Sequence, residues 1–188
     1  TIRDIQKFKD QRIPFATVTA YDYVSARIAD DVDIPLLLVG DSAAMVVFGY
    51  ENTIPITMDE MVFIVSSVSR GAKHSLIVAD MPFMTFQTGT RDALLNAGRL
   101  MSEGGARAVK VEGGRTVANV VEALDRAGIA VMGHIGLTPQ SVHKLGGYHI
   151  QGTSEKAATV LLEDALALQD AGAFAIVLEL LPDISIAF

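Results

Sequence analysis

The sequence contains no cysteine. That excludes a disulfide framework and any thiolate-ligated metal, and it is compatible with the reducing cytoplasm, where the protein is expected to reside. It also has no basic run. Its 15 Lys and Arg stand against 22 Asp and Glu, for a formal net charge of −7 and a pI near 5.0. Phosphate neutralisation needs clustered Lys and Arg, so nucleic acid is not an expected partner. Long apolar runs are missing as well. The longest stretches, such as AFAIVLELL (173–181), fall short of the roughly 20 residues a membrane-spanning helix needs. The opening TIRDIQKFKDQ is charged and helical in pattern, without the apolar core of a signal peptide, so neither a membrane nor secretion is expected. Neither G-x-G-x-x-G nor G-x-x-x-x-G-K-[ST] occurs, which removes the usual nucleotide-binding signatures of open α/β sheets.

What is present is a chain of 188 residues, half of them apolar, which suits one domain over 1–188 with a substantial core. Short β-branched runs alternate with longer helical patterns, and Gly recurs near the joints where a helix gives way to an extended apolar run. Six strands are predicted to begin near Ile13, Leu36, Leu76, Ala106, Ala130 and Ala173. Helices are predicted at about 22–31, 58–70, 90–103, 116–127 and 154–171. Thr57 and Glu60 have capping-box spacing, and Ser154 or Thr153 caps the last helix, whose Glu163, Asp164 and Asp170 read as a solvated face. Strict alternation favours a parallel sheet, either doubly wound or closed into a barrel, and the missing nucleotide signatures favour the barrel. Two loops are long, 42–56 and 137–152; such connections carry binding residues in α/β folds.

The chemistry sits where the apolar runs end. Asp41 follows LLLVG, Asp80 follows LIVA, Glu112 closes VKVE, His134 follows AVMG and Glu179 closes AIVLE. In a barrel such positions converge on one face. Each residue alone has an ordinary explanation: a helix cap or turn for Asp41 and Asp80, a core histidine for His134, an arginine partner for Glu179. Together they would repel one another and desolvate, so a cation is required among them. Lys110 supplies one positive charge. A hard divalent ion supplies more, and a carboxylate set with at most one imidazole suits Mg²⁺ better than Zn²⁺, in an open site instead of a cage. Lys110 and Glu112 lie two apart in ARAVKVEGG (106–114) and share one strand face, as a local ion pair or as two groups with separate tasks. Ser42 beside Asp41 offers a hydroxyl to a ligand or to a cap. GHIGLTPQS mixes Gly with Thr138, Gln140 and Ser141, as a loop around a polar ligand or an ordinary turn would.

The stretches TAYDY (19–23), LLVGDS (37–42), ADMPF (79–83), VKVEGG (109–114), GHIGLTPQS (133–141), LGGYHIQG (145–152) and VLELLP (177–182) resemble the ketopantoate (3-methyl-2-oxobutanoate) hydroxymethyltransferase family, in that family's order. The resemblance implies a (β/α)8 TIM barrel and Mg²⁺. It further implies 5,10-methylenetetrahydrofolate as one-carbon donor, and 3-methyl-2-oxobutanoate as the 2-oxo acid acceptor converted to 2-dehydropantoate. It implies Asp41 and Asp80 as metal ligands that also meet the substrate, Glu112 reaching the metal directly or through water, and Ser42 and Lys110 holding the substrate carboxylate. It implies His134 close by, Glu179 as general base, and a homo-oligomer such as a decamer. Only about six β/α units are present, whereas an eight-unit barrel typically takes about 250 residues. The chain is therefore expected to lack the last two units, and its closing DISIAF (183–188) departs from the family pattern. Two rivals remain at this level: a metal-dependent 2-oxo acid enzyme of the phosphoenolpyruvate mutase/isocitrate lyase group, and a non-catalytic barrel fragment serving assembly.

Overall fold

A computed structural model describes residues 1–182 of the chain, so the DISIAF segment lies outside the described residues. Helix α1 (Ile2–Asp10) leads into six strands: β1 (Thr17–Thr19), β2 (Leu36–Val39), β3 (Leu76–Asp80), β4 (Ala108–Glu112), β5 (Val131–Gly136) and β6 (Ala175–Glu179). Between them run α2 (Tyr23–Asp31), the short α3 (Ala43–Val46), α4 (Met58–Gly71), α5 (Thr90–Ser102), α6 (Ala118–Arg126), the short α7 (Val142–Leu145) and α8 (Glu155–Asp170). All strands pair in parallel in the order β1-β2-β3-β4-β5-β6. A doubly wound sheet reverses its strand order at a switch point, and none occurs among the described residues. The result is an α/β half-barrel with its helices on the outside.

Most predicted elements lie within a few residues of their observed bounds. The first strand is the exception. It starts at Thr17 instead of near Ile13 because the chain is still closing α1 there: Arg12 is left-handed at φ 55°, and the Ile13 N–H donates to Phe8 O at 2.9 Å. That is a Schellman stop, made without glycine. Thr57 and Glu60 form the predicted capping box at α4, and Ser154 caps α8 through the Ala157 N–H. The acidic face of α8 is not simply solvated, since the Arg115 guanidinium pairs with both Glu163 and Asp164 and fastens α8 to the turn after β4.

Two apolar clusters follow from the period-two alternation of buried strands. Outward residues such as Leu37, Val39, Ile77, Ala79, Val109, Val111 and Val131 pack against the helices. Inward residues Leu36, Leu76, Val78, Ala108 and Met132 fill the barrel interior, where Ile2, Ile5 and Phe15 pack against them. Among the described residues no helix is long and apolar enough to cross a membrane.

Asp30, only 6% exposed at the end of α2, anchors the turn that leads into β3. Its carboxylate accepts the backbone N–H groups of Lys73, His74 and Ser75 at 2.8–2.9 Å and the Ser75 hydroxyl at 2.8 Å. Burial alone would raise its pKa, but these donors outweigh it and hold the carboxyl well below the usual range. Asp30→Ala is expected to cost about 3 kcal/mol, since it orphans several donors of about 1 kcal/mol each. Because the folded pKa lies below the unfolded value of about 3.9, this stabilisation is complete above that pH and is lost as pH falls toward the folded value. Urea denaturation should therefore show a smaller gap between variant and wild type at pH 3 than at pH 7. An equal gap at both would contradict the account.

Candidate active site

The inward alternation that places Leu76 and Val78 in the interior brings Asp80 to the same face one step later. Ala108, Lys110 and Glu112 follow the same rule on β4, Met132 and His134 on β5, and Ala175, Val177 and Glu179 on β6. Strand register then sets Asp80 opposite Lys110 and Glu112 opposite His134. Asp41 and Ser42 arrive from the turn after β2. Gly40 leaves room for the Ser42 hydroxyl, since a Cβ there would lie 2.6 Å from Ser42 Oγ.

All seven residues singled out from the sequence line one cavity of about 310 Å³ at the C-terminal ends of the strands. The cap and turn explanations do not hold for Ser42, Asp41 and Asp80. Ser42 makes no side-chain cap; its Oγ lies 2.8 Å from the Tyr21 hydroxyl. Asp80 Oδ2 accepts the Asp41 backbone N–H at 3.0 Å, and Asp41 Oδ2 accepts from Gln140 Nε2 at 2.8 Å.

Lys110 is 4% exposed, and its Nζ lies 3.2 Å from Asp80 Oδ2 but 3.9 Å from Glu112 Oε1. The local ion pair is thus the lesser contact. Residues two apart along a strand are separated by roughly 6.6 Å, whereas register partners on adjacent strands are about 4.8 Å apart, so the cross-strand carboxylate is the closer one. Burial disfavours the ammonium, yet Asp80, Glu112 and Asp41 together raise its pKa, and Lys110 remains charged. Burial, with the Asp80 charge beside it, raises Asp41 to about 7. Burial likewise raises Glu112 to about 8 against the pull of Lys110. His134 is pushed down, chiefly by burial, and is neutral near pH 7. Its Nδ1 lies 3.1 Å from the Lys110 ammonium, which can only donate, so the ring proton sits on Nε2. That atom is 3.1 Å from Glu179 Oε2, a close contact short of a well-aligned hydrogen bond.

Four buried polar atoms around the cavity lack a hydrogen-bond partner among the described residues: Asp80 Oδ1, Glu112 Oε1, His134 Nε2 and Thr53 Oγ1. Such atoms are costly in a folded protein and mark a place for a ligand. No three carboxylate or imidazole groups among the described residues close into a ready-made metal cage. The donors are hard oxygens with open positions between them, and this set fits Mg²⁺, which keeps several waters and takes one or two carboxylates.

Thr53 and Gln87 were not identifiable from the sequence, and Gln140 stood out only as part of a polar loop. Thr53, 1% exposed, drops from the 42–56 loop into the cavity. No local pattern distinguishes it from any other loop threonine. Thr138 and Ser141 flank Gln140, but it is Gln140 whose side chain reaches the carboxylates.

The sequence matches the family described as ketopantoate hydroxymethyltransferase over residues 1–186. It is 57% identical over 182 residues to the 3-methyl-2-oxobutanoate hydroxymethyltransferase of Thermobifida fusca, covering 97% of this chain and 65% of that one. With the enzyme of the same name from Carboxydothermus hydrogenoformans it shares 56% identity, covering 97% and 66%. The chain thus spans just under two thirds of the length of these relatives. In fold it is similar to phosphonopyruvate hydrolase solved with oxalate and Mg²⁺, at a TM-score of 0.70 and 12% identity over 95% of this chain and 62% of that one. It is also similar to 2,3-dimethylmalate lyase, a PEP mutase/isocitrate lyase superfamily member, at a TM-score of 0.63 and 18% identity over 95% and 63%.

Proposed function

The chain belongs to the ketopantoate hydroxymethyltransferase family, and from that premise we propose that the full-length protein transfers a hydroxymethyl group from 5,10-methylenetetrahydrofolate to 3-methyl-2-oxobutanoate. The product is 2-dehydropantoate, the first committed step of pantothenate and coenzyme A synthesis. The observation that carries this reading is the convergence of Asp41, Asp80, Lys110, Glu112, His134 and Glu179 on one cavity at the strand ends. The six units are read as the first part of a single closed (β/α)8 barrel, which their sequential order supports. A cytoplasmic homo-oligomer, a decamer by family resemblance, belongs to the same reading.

Asp41 and Asp80, with Glu112 directly or through water, are the residues that would hold Mg²⁺. A bound Mg²⁺ supplies Lewis-acid polarisation of the keto oxygen. Lys110, buried and charged, together with the Ser42 hydroxyl, holds the substrate carboxylate. Glu179 takes the proton from C3, and neutral His134 stands beside it, with Nε2 3.1 Å from Glu179 Oε2. The enolate carbon bonds to the methylene carbon of the folate donor as one of its two C–N bonds breaks. Water replaces the second nitrogen on that carbon, supplying the hydroxyl, and the freed nitrogens take up the proton from C3 and one from water as tetrahydrofolate departs.

The test is formation of 2-dehydropantoate by the full-length protein from the two substrates. Activity is expected with Mg²⁺, abolished by EDTA and restored by excess Mg²⁺. No turnover by a folded full-length sample would reject the enzymatic reading and favour the assembly module.

A further inference from the structure

Four carboxylates line the cavity, and one residue that does not belong to the charged set holds two of them, Asp41 and Glu112. Gln140 is 5% exposed and sits in a short turn, Pro139–Ser141. Its Nε2 donates to Asp41 Oδ2 at 2.8 Å and to the Met81 carbonyl at 2.9 Å, while its backbone N–H donates to Glu112 Oε2 at 2.9 Å. Asp80 Oδ2 is held separately by the Asp41 N–H. In Asp80 and Glu112 this leaves the other oxygen, Oδ1 and Oε1, buried and without a partner among the described residues. Asp41 and Glu112 are each held through a single oxygen, and both holds come from Gln140.

The direction of the Gln140 amide is dictated by chemistry. A carboxylate and a backbone carbonyl only accept, so both must face its NH₂ group, which turns Oε1 the other way. There it accepts from Gln87 Nε2 at 3.1 Å. Gln87 is oriented in turn by the Phe86 N–H, which donates to its Oε1 at 3.4 Å. The amides therefore run in one sense from the loop after β3 to the carboxylate after β2.

We infer that Gln140, with its amide oriented by Gln87, is a positioning residue that determines which oxygens of Asp41 and Glu112 are left to a divalent cation. The inference rests on the metal reading above. Partners that orient metal ligands commonly change affinity by about 10–100-fold when replaced. A leucine at 140 would fill much the same volume but leave Asp41 Oδ2 and the Met81 carbonyl without their donors. A glutamate at 87 would put an acceptor in place of the Nε2 donor that faces Gln140 Oε1, drawing the Gln140 NH₂ group over and turning the amide around.

The test is a titration of Mn²⁺ into the full-length protein, followed by the electron paramagnetic resonance of the free ion, together with the thermal midpoint in EDTA. Gln140→Leu is expected to weaken Mn²⁺ binding by roughly 10–100-fold, and Gln87→Glu by about tenfold, with little change in the metal-free midpoint for the exposed Gln87. A merely structural Gln140 would lower the metal-free midpoint and leave affinity unchanged; that result in a folded variant overturns the inference. Should Gln140→Leu fail to fold, Gln87→Glu decides alone, and unaltered Mn²⁺ affinity in it overturns the inference equally. If the wild-type protein binds no Mn²⁺, the metal reading itself falls and takes this inference with it.

Discussion

Glu179→Gln is expected to slow exchange of the C3 proton of 3-methyl-2-oxobutanoate by on the order of 10³-fold while leaving binding of the oxo acid nearly intact. Glu179 ends β6 on the inner face, with its side chain 39% exposed at the cavity and its Oε2 3.1 Å from His134 Nε2. The amide has the same shape and can still meet the imidazole N–H through its oxygen, but it cannot accept a proton from carbon. Exchange measured by NMR in D₂O with Mg²⁺ and without the folate donor isolates this step from carbon–carbon bond formation. Calorimetric binding of the oxo acid provides the control. Wild-type exchange in the variant would assign the base elsewhere. A loss of binding equal to the loss of exchange would instead make Glu179 a substrate anchor.

Lys110→Met is expected to destabilise the protein by about 3–5 kcal/mol at pH 8 in metal-free buffer, the usual cost of breaking a buried ion pair from one side. Lys110 is buried against Asp80 and Glu112, and its charge also bears on Asp41. Methionine preserves much of the stem's packing, so the loss reports mainly on charge. The pH dependence follows from the raised pKa values of Asp41, about 7, and Glu112, about 8. A carboxyl whose pKa is higher folded than unfolded contributes stability below its unfolded value and loses it as pH climbs through the folded value. Removing Lys110 pushes both carboxyls further up, so the penalty should be small near pH 5 and grow toward pH 8. Urea denaturation at these two pH values measures it. Added Mg²⁺ should recover part of the loss at pH 8. A pH-independent loss would mean that the carboxylates do not share one buried field.

Much of the site is legible in the chain because strand alternation is local. Once VKVE is read as a buried strand, Lys110 and Glu112 must share a face, and the same reasoning lifts Asp80, His134 and Glu179 to the strand ends. The start of β1 is less legible, because a left-handed Arg12 performs the helix stop usually marked by glycine. Arg115, Glu163 and Asp164 are equally hard to pair from the chain alone. Their charges are evident in the sequence, but their pairing depends on where α8 lands against the turn after β4.

By itself the sequence determined the β/α alternation, the polar residues at the strand ends and the excess of carboxylates over cations there. Each of these depends on neighbours within a few residues, so composition and periodicity suffice. Only the tertiary structure decided that Lys110 pairs with Asp80 more closely than with Glu112, that Thr53 enters the cavity, and that Gln87 and Gln140 aim the carboxylates. Those outcomes depend on register between strands and on the path of long loops. Distant elements set both by packing together, and no local pattern in the chain records where they meet.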